Sequence, residues 1–151
     1  MIQINAAGLA IIKTGESLQL HAYLDPAGIC TIGYGHTPAV MGTTIDESQA
    51  EVLLEADCDH AVDAVYGGTQ DVPTTDNQFS AMVSLTFNIG VGAFRGSSVL
   101  RLHRQGSFKA AADAFLRWNK AHVDGTLVVL PGLARRREKE RELYLTQEVS
   151  A

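Results

Sequence analysis

Residues 13–37 read KTGESLQLHAYLDPAGICTIGYGHT, and this stretch decides the fold. Glu16 closes a helix-like apolar run. Nine residues later Asp25 opens Asp25-Pro26-Ala27-Gly28, with Asp, Pro and Gly at the first, second and fourth places of a type I turn. Before the turn, Leu20, Ala22 and Leu24 alternate with His21 and Tyr23. After it, Ile29 to Tyr34 is rich in β-branched and aromatic residues. Two short strands joined by a tight turn are predicted. Thr31 lies six residues past Asp25, and the second strand runs into Gly33-Tyr34-Gly35-His36-Thr37.

Two carboxylates and a hydroxyl gathered by one turn are enough to split a glycosidic bond with water. Glu16 is the candidate general acid, because Ile12, Leu18 and Leu20 surround it in sequence and partial burial favours the protonated form. Asp25, on a turn, is the candidate for activating water. Thr31, across the turn, is the candidate for holding that water.

Working outward, Asn5 is a helix cap, and Leu9, Ile11 and Ile12 give an apolar stripe, so a helix is expected over about 5–14. Residues 38–45 read as a loop with a short third strand. A helix is expected from Thr44 or Asp46 through Tyr66, stopped by Gly67-Gly68. The polar stretch Thr69 to Thr75, with Pro73, reads as a boundary. Helices are then expected over 76–89 (capped by Asp76), from Ser97 or Ser98 to Arg104, over 107–118, and from Pro131 to Thr146. Residues 119–130 read as a loop with an extended piece at Leu127–Leu130. The fold class is α+β: one domain over 1–151, with a small N-terminal lobe (about 1–60) carrying a short antiparallel sheet and a helical lobe (about 70–151). The segment near 46–75 joins them, and a cleft between the lobes is the expected substrate site.

The 151 residues are 46% apolar and 19% charged, an ordinary globular composition. A net charge of −5 argues against general nucleic-acid binding. Arg135, Arg136, Arg137, Lys139 and Arg141 cluster near the end of the chain. They read as a solvated helix face with opposite charges at helical spacing, and as a patch attracting acidic polymer. Cys30 and Cys58 read as two free thiols in a reducing compartment, with a single long-range bridge as the alternative. The N-terminal apolar run is short and lacks a charged flank, so no signal peptide and no stable membrane association are expected. The five His are scattered without metal-ligand spacing, and no phosphate-binding loop occurs; neither a metal nor a cofactor is expected.

The segment GLAIIKTGESLQLHAYLDPAGICTIGYGHT resembles the catalytic region of the phage-type lysozymes, or endolysins, of glycoside hydrolase family 24. In that family Glu, Asp nine residues later, Thr six later and a TIGxGH run occur together, and Glu16, Asp25, Thr31 and His36 match them. Phe87-Asn88-Ile89-Gly90, AFRGSSVL at 93–100, Arg117-Trp118-Asn119 and Gly132 to Glu138 extend the resemblance over nearly the whole chain. It implies a lysozyme-like fold and inverting hydrolysis of the β-1,4 bond between N-acetylmuramic acid and N-acetylglucosamine in bacterial peptidoglycan. It also implies a monomer held in the host cytoplasm until a holin-type pore releases it to the periplasmic wall. His36 is expected to pair with Asp57 as a stabilising contact.

Phe87, Asn88, Ser97, Ser98 and Arg136 are the expected substrate-binding residues, with Arg136 near the cleft and facing Glu16. Asn88 offers an amide suited to an N-acetyl group. Phe87 reads equally as core, and Trp118 reads as core. Two departures stand out: Cys30 replaces the usual aromatic before Thr31, and Thr14-Gly15 replaces an apolar residue before Glu16. The competing functions are a lytic transglycosylase, which needs one carboxylate, and a non-catalytic wall-binding module.

Overall fold

The computed structural model describes residues 3–147. The chain divides into two compact units: Lys13–Asp59 forms one, and the described residues of Met1–Ile12 and His60–Ala151 form the other.

The small unit is built on β1 (Gln19–Leu24) and β2 (Cys30–Gly33), paired antiparallel with Tyr23 opposite Thr31 and Leu24 opposite Cys30. The Asp25 turn closes as read, with the Gly28 N–H donating to the Asp25 carbonyl at 2.9 Å. Gly28 has a φ of +82°, a value that favours glycine. The expected third strand is a single bridge, His21 to Thr44. Helix α2 (Glu47–Asp57) starts at Asp46 rather than Thr44: the Asp46 carboxylate accepts from the Gln49 N–H, and the Gln49 side chain accepts from the Asp46 N–H. α2 packs on β2 with Ala50 and Leu54 as its buried residues, and Gly33, with a φ of +69°, stands beside Ala50 in a backbone conformation that favours glycine.

The helical unit gathers its core around α4 (Asp76–Ile89), which is buried continuously from Gln78 to Thr86. A helix buried on every side is a core element. Its cap is Thr75 rather than Asp76, because Thr75 and Gln78 bond reciprocally. Helix α1 (Ala6–Gly15) begins here. Asn5 caps it through the Gly8 N–H, and the Asn5 N–H and amide reach Ser80, Asp76 and Asn77 of α4. These bonds place the start of the chain with the helical unit, where the sequence suggested the small lobe.

Three further expectations change. The helix expected over 46–66 is interrupted at buried Cys58, and α3 (Asp59–Thr69) continues through Gly67-Gly68. Gly68 is used for packing: a Cβ there would lie 3.2 Å from both Leu100 methyl groups. Glycine's poor helix propensity, about 1 kcal/mol, yields to that contact. Residues 119–130 are not a loop but a hairpin, β3 (Lys120–Val123) with β4 (Thr126–Val129), turned by Asp124-Gly125 with φ of +50° and +79°. Helix α7 (Phe108–Phe115) stops short of Trp118, which is reached through i→i−3 bonds from Leu116, Arg117 and Trp118. Between α4 and α7 lie α5 (Val91–Arg95), not foreseen, and α6 (Ser98–Arg104).

The largest correction concerns α8 (Pro131–Leu145), which packs on α4 and α7. Its basic run is a solvated face only at Arg135 and Lys139, with Arg141 half-exposed. Arg136, Arg137, Glu140 and Tyr144 are the buried residues of this helix. The Ser84 hydroxyl donates to Glu140 Oε2 at 2.6 Å, Arg136 Nε is 3.3 Å from the same oxygen, and Arg137 Nε lies 2.7 Å from Glu140 Oε1. Arg136 also donates to the Ser84 carbonyl, and Arg137 to that of Trp118. Burial pushes the Glu140 carboxyl up, against the pull of both guanidiniums and the Ser84 hydroxyl.

Candidate active site

Glu16 follows the last residue of α1 and is half-buried. Gly35 backs it: φ there is +80°, and an added Cβ would lie 3.2 Å from Glu16 Oε2. The second glycine of the TIGYGH run therefore serves both the backbone turn and the close approach of the acid.

Asp25 is held by its own turn. Its Oδ1 accepts the N–H groups of Ala27 (2.9 Å) and Ile29 (2.8 Å), while no bond to Oδ2 occurs among the described residues. The Ile29 carbonyl accepts from the Asp25 N–H at 2.9 Å and from the Thr31 hydroxyl at 3.0 Å. Asp25 and Thr31 are thus joined through one residue, Ile29, whose N–H serves the first and whose carbonyl serves both. Thr31 is 4% exposed, so its hydroxyl is fixed in direction by the strand. The arrangement holds a carboxylate with one oxygen committed to the backbone and one open for chemistry.

His36 Nδ1 lies 3.0 and 2.9 Å from the two Asp57 carboxylate oxygens, and its backbone exchanges both hydrogen bonds with Ile32. The pair ties the end of β2 to the end of α2. A second tie escaped the sequence reading: Lys13 Nζ reaches Glu51 Oε1 at 2.6 Å and stands 5.8 Å from the centre of the Tyr34 ring. The charges were visible, but their separation of 38 residues carried no local signal.

In the helical unit, Phe87 is partly buried, packs on the core and lies 6.4 Å from the His60 ring, while Asn88 beside it is exposed. Ser97 is buried as the cap of α6: its oxygen accepts the Leu100 N–H, and its hydroxyl donates to the Phe94 carbonyl. Ser98 is half-exposed, with the Arg117 guanidinium 3.3 Å and the Arg101 guanidinium 3.5 Å from its hydroxyl. A recess of about 250 Å³ is lined by Gly96, Ser97, Ser98, Ala114, Arg117 and Trp118. Arg117 was not singled out from sequence, although it stands in the Arg-Trp-Asn run. Trp118 packs on the core and lines the recess as well. Arg136 lies within the buried network of α8.

The model of the Phage lysozyme family matches residues 13–140. The chain belongs to the phage lysozyme family. It is similar to the endolysin of Acyrthosiphon pisum secondary endosymbiont phage 1, at 41% identity over 95% of this chain and 98% of the relative. The endolysin of Salmonella phage P22 is 42% identical over 97% of this chain and all of its own length. Among solved structures, an endolysin from Escherichia coli O157:H7 phage FAHEc1 superposes with a TM-score of 0.88 at 43% identity, covering 95% of this chain and 93% of that one. The muramidase domain of SpmX from Asticaccaulis excentricus gives 0.89 at 40% identity, covering 97% and 100%.

The small antiparallel sheets and helices are those of a lysozyme-like α+β fold, and the chain is a glycoside hydrolase of lysozyme type. Its activity, in general terms, is lysis of peptidoglycan. Among the described residues, no group of three or more His, Cys, Asp or Glu is placed to hold a metal, neither Cys30 nor Cys58 is in a disulfide, and no helix is long and apolar enough to cross a membrane.

Proposed function

We propose that this lysozyme hydrolyses the β-1,4 bond between N-acetylmuramic acid and N-acetylglucosamine with inversion, in the service of host cell lysis. Glu16 donates a proton to the leaving glycosidic oxygen. Asp25, through its open oxygen, takes a proton from a water that attacks the opposite face of the sugar, and Thr31 sets that water's direction. The observation that carries this reading is the Ile29 junction: it commits Asp25 Oδ1 and the Thr31 hydroxyl to one residue and leaves Oδ2 open. A transglycosylase has no use for a water-directing carboxylate and hydroxyl so joined.

From the helical unit, Asn88 and Ser98 offer polar contacts to sugar and Phe87 an apolar one, while Ser97, buried as the cap of α6, sets the backbone that carries Ser98, and Arg136 stays in the buried network of α8. The enzyme acts as a monomer on periplasmic peptidoglycan, without nucleic-acid partners or stable membrane association, and waits in the host cytoplasm for a holin-type pore. Proton NMR of freshly cut glycan, with mass spectrometry of the muropeptides, tests the mechanism. The expected product has an α-configured, hydrated reducing end; anhydro ends refute hydrolysis. Glu16→Gln is expected to clear cell walls at least about a hundredfold more slowly.

A further inference from the structure

The small unit carries a second surface that the chemistry above does not use. α2 turns Ala50 and Leu54 inward. Its other side, with Ser48, Gln49, Val52 and Leu53, joins Ile45 to line an open groove of about 420 Å³. Gln49, Val52 and Leu53 share one face of α2 at helical spacing, and Ile45 lies just before the helix cap. Val52 is 66% exposed. Ile45 and Leu53 are half-buried on either side of it, so the groove has an aliphatic floor with one exposed branched side chain, a shape that takes the apolar face of an amphipathic helix.

The unit that carries the groove is strongly acidic. Lys13–Asp59 holds eight carboxylates and one lysine, a net −7, while the rest of the chain is +2. That lysine is bound to Glu51. Asp46 lines the groove, and Glu55 stands three residues beyond Val52, its carboxylate without a partner among the described residues. An anionic polymer is repelled from such a face, and so is the same face of a second copy.

We propose that this groove docks a Lys- or Arg-flanked amphipathic helix of a partner protein. Two aliphatic side chains one turn apart lie against Ile45, Val52 and Leu53, and the flanking cations meet Asp46 and Glu55.

The test is fluorescence anisotropy of the full chain with a labelled synthetic Leu/Lys helix of about 14 residues, roughly four turns. Two controls accompany it: a peptide of the same composition in scrambled order, and neutral lipid vesicles. Binding of the ordered peptide is expected to be at least about tenfold tighter than the scrambled one, and to weaken about tenfold in Val52→Glu and in Glu55→Lys. Clearing of cell walls by both variants should be unchanged. Equal binding of ordered and scrambled peptides, or no effect of either substitution, overturns the proposal. Self-association that Val52→Glu abolishes would assign the groove to a second copy, and preferential uptake by the vesicles would assign it to lipid; either result overturns it too. Should Val52→Glu lower the melting temperature, Glu55→Lys at an exposed position decides alone.

Discussion

The two units hold their carboxylates in opposite ways. Asp25, in the small unit, is fixed by backbone N–H groups on one oxygen and keeps the other open. Glu140, in the helical unit, is fully buried, with Ser84, Arg136 and Arg137 arranged around both oxygens. A turn can hold a charge using groups that belong to the chain itself, so the rest of the carboxylate stays free to react. A helix interior has no spare backbone donors and must surround a charge with side chains, which leaves the charge chemically silent.

This contrast predicts a double dissociation. Asp25→Asn keeps the Oδ1 acceptor and hence the turn. It should slow turnover by about 10²–10⁴-fold while moving stability by less than about 1 kcal/mol. Glu140→Gln leaves two buried guanidiniums without their anion and should cost about 3–5 kcal/mol, while the fraction still folded keeps its turnover. Urea unfolding beside a wall-clearing assay reads both. If Asp25→Asn unfolds the protein, the turn depends on charge and the contrast fails.

Next in size is His103, a buried titratable group that does no chemistry here. Its Nδ1 lies 2.6 Å from the Tyr144 hydroxyl and its Nε2 2.9 Å from that of Thr74. Burial pushes the imidazole down to about 4 from 6.5. The folded state therefore refuses a proton that the unfolded chain accepts below pH 6.5. Stability is complete above pH 6.5 and is lost as the pH falls toward 4, by about 3 kcal/mol at 1.36 kcal/mol per pKa unit. Unfolding curves at pH 7, 5.5 and 4 should show this loss, and His103→Gln should reduce it. Equal slopes in both proteins would show that acid sensitivity arises elsewhere.

Much of the small unit could be read from sequence because its determinants are local. The Asp-Pro-Ala-Gly turn, the period-two strand and the Asp46–Gln49 capping box each fit within a few residues. The helical unit was legible in its caps and apolar stripes, and Ser97 starts α6 as expected. It was misread wherever a partner was distant. Nothing near Arg137 in sequence announces Ser84 or the Trp118 carbonyl, so a buried ion cluster looked like a solvated face. Gly67-Gly68 looked like a stop because Leu100, which needs the missing side chain, is about thirty residues away. The hairpin over 120–129 is a different failure. Asp124-Gly125 is a strong turn signal and Lys120-Ala121-His122-Val123 alternates polar with apolar, but each strand is only four residues long and Leu127-Val128-Val129 does not alternate. At the candidate site the reacting groups were legible; that Glu16 is the group Gly35 makes room for, and that Ile29 joins Asp25 to Thr31, was not.

The half-exposed pair His36–Asp57 should fall between the extremes. His36→Asn removes a contact of about 3 Å at the end of β2, and is expected to cost about 1–2 kcal/mol and to lower the melting temperature more than turnover. An unchanged melting temperature near neutral pH would remove the pair from any stabilising role.

The smallest effect is expected at Lys13, whose pair with Glu51 is the most open of these ionic contacts, at 29% and 42% side-chain exposure. The hydrogen bond to Glu51 raises the ammonium above its ordinary value of 10.5. The pair's contribution is therefore present below pH 10.5 and fades as the pH rises through the raised value. Water screens both partners, so Lys13→Met, which keeps an apolar stem over Tyr34, should cost at most about 1 kcal/mol. Salt should narrow even that difference. A loss as large as that of Glu140→Gln would mean that distance between charges, and not their separation from water, sets what an ion pair contributes in this fold.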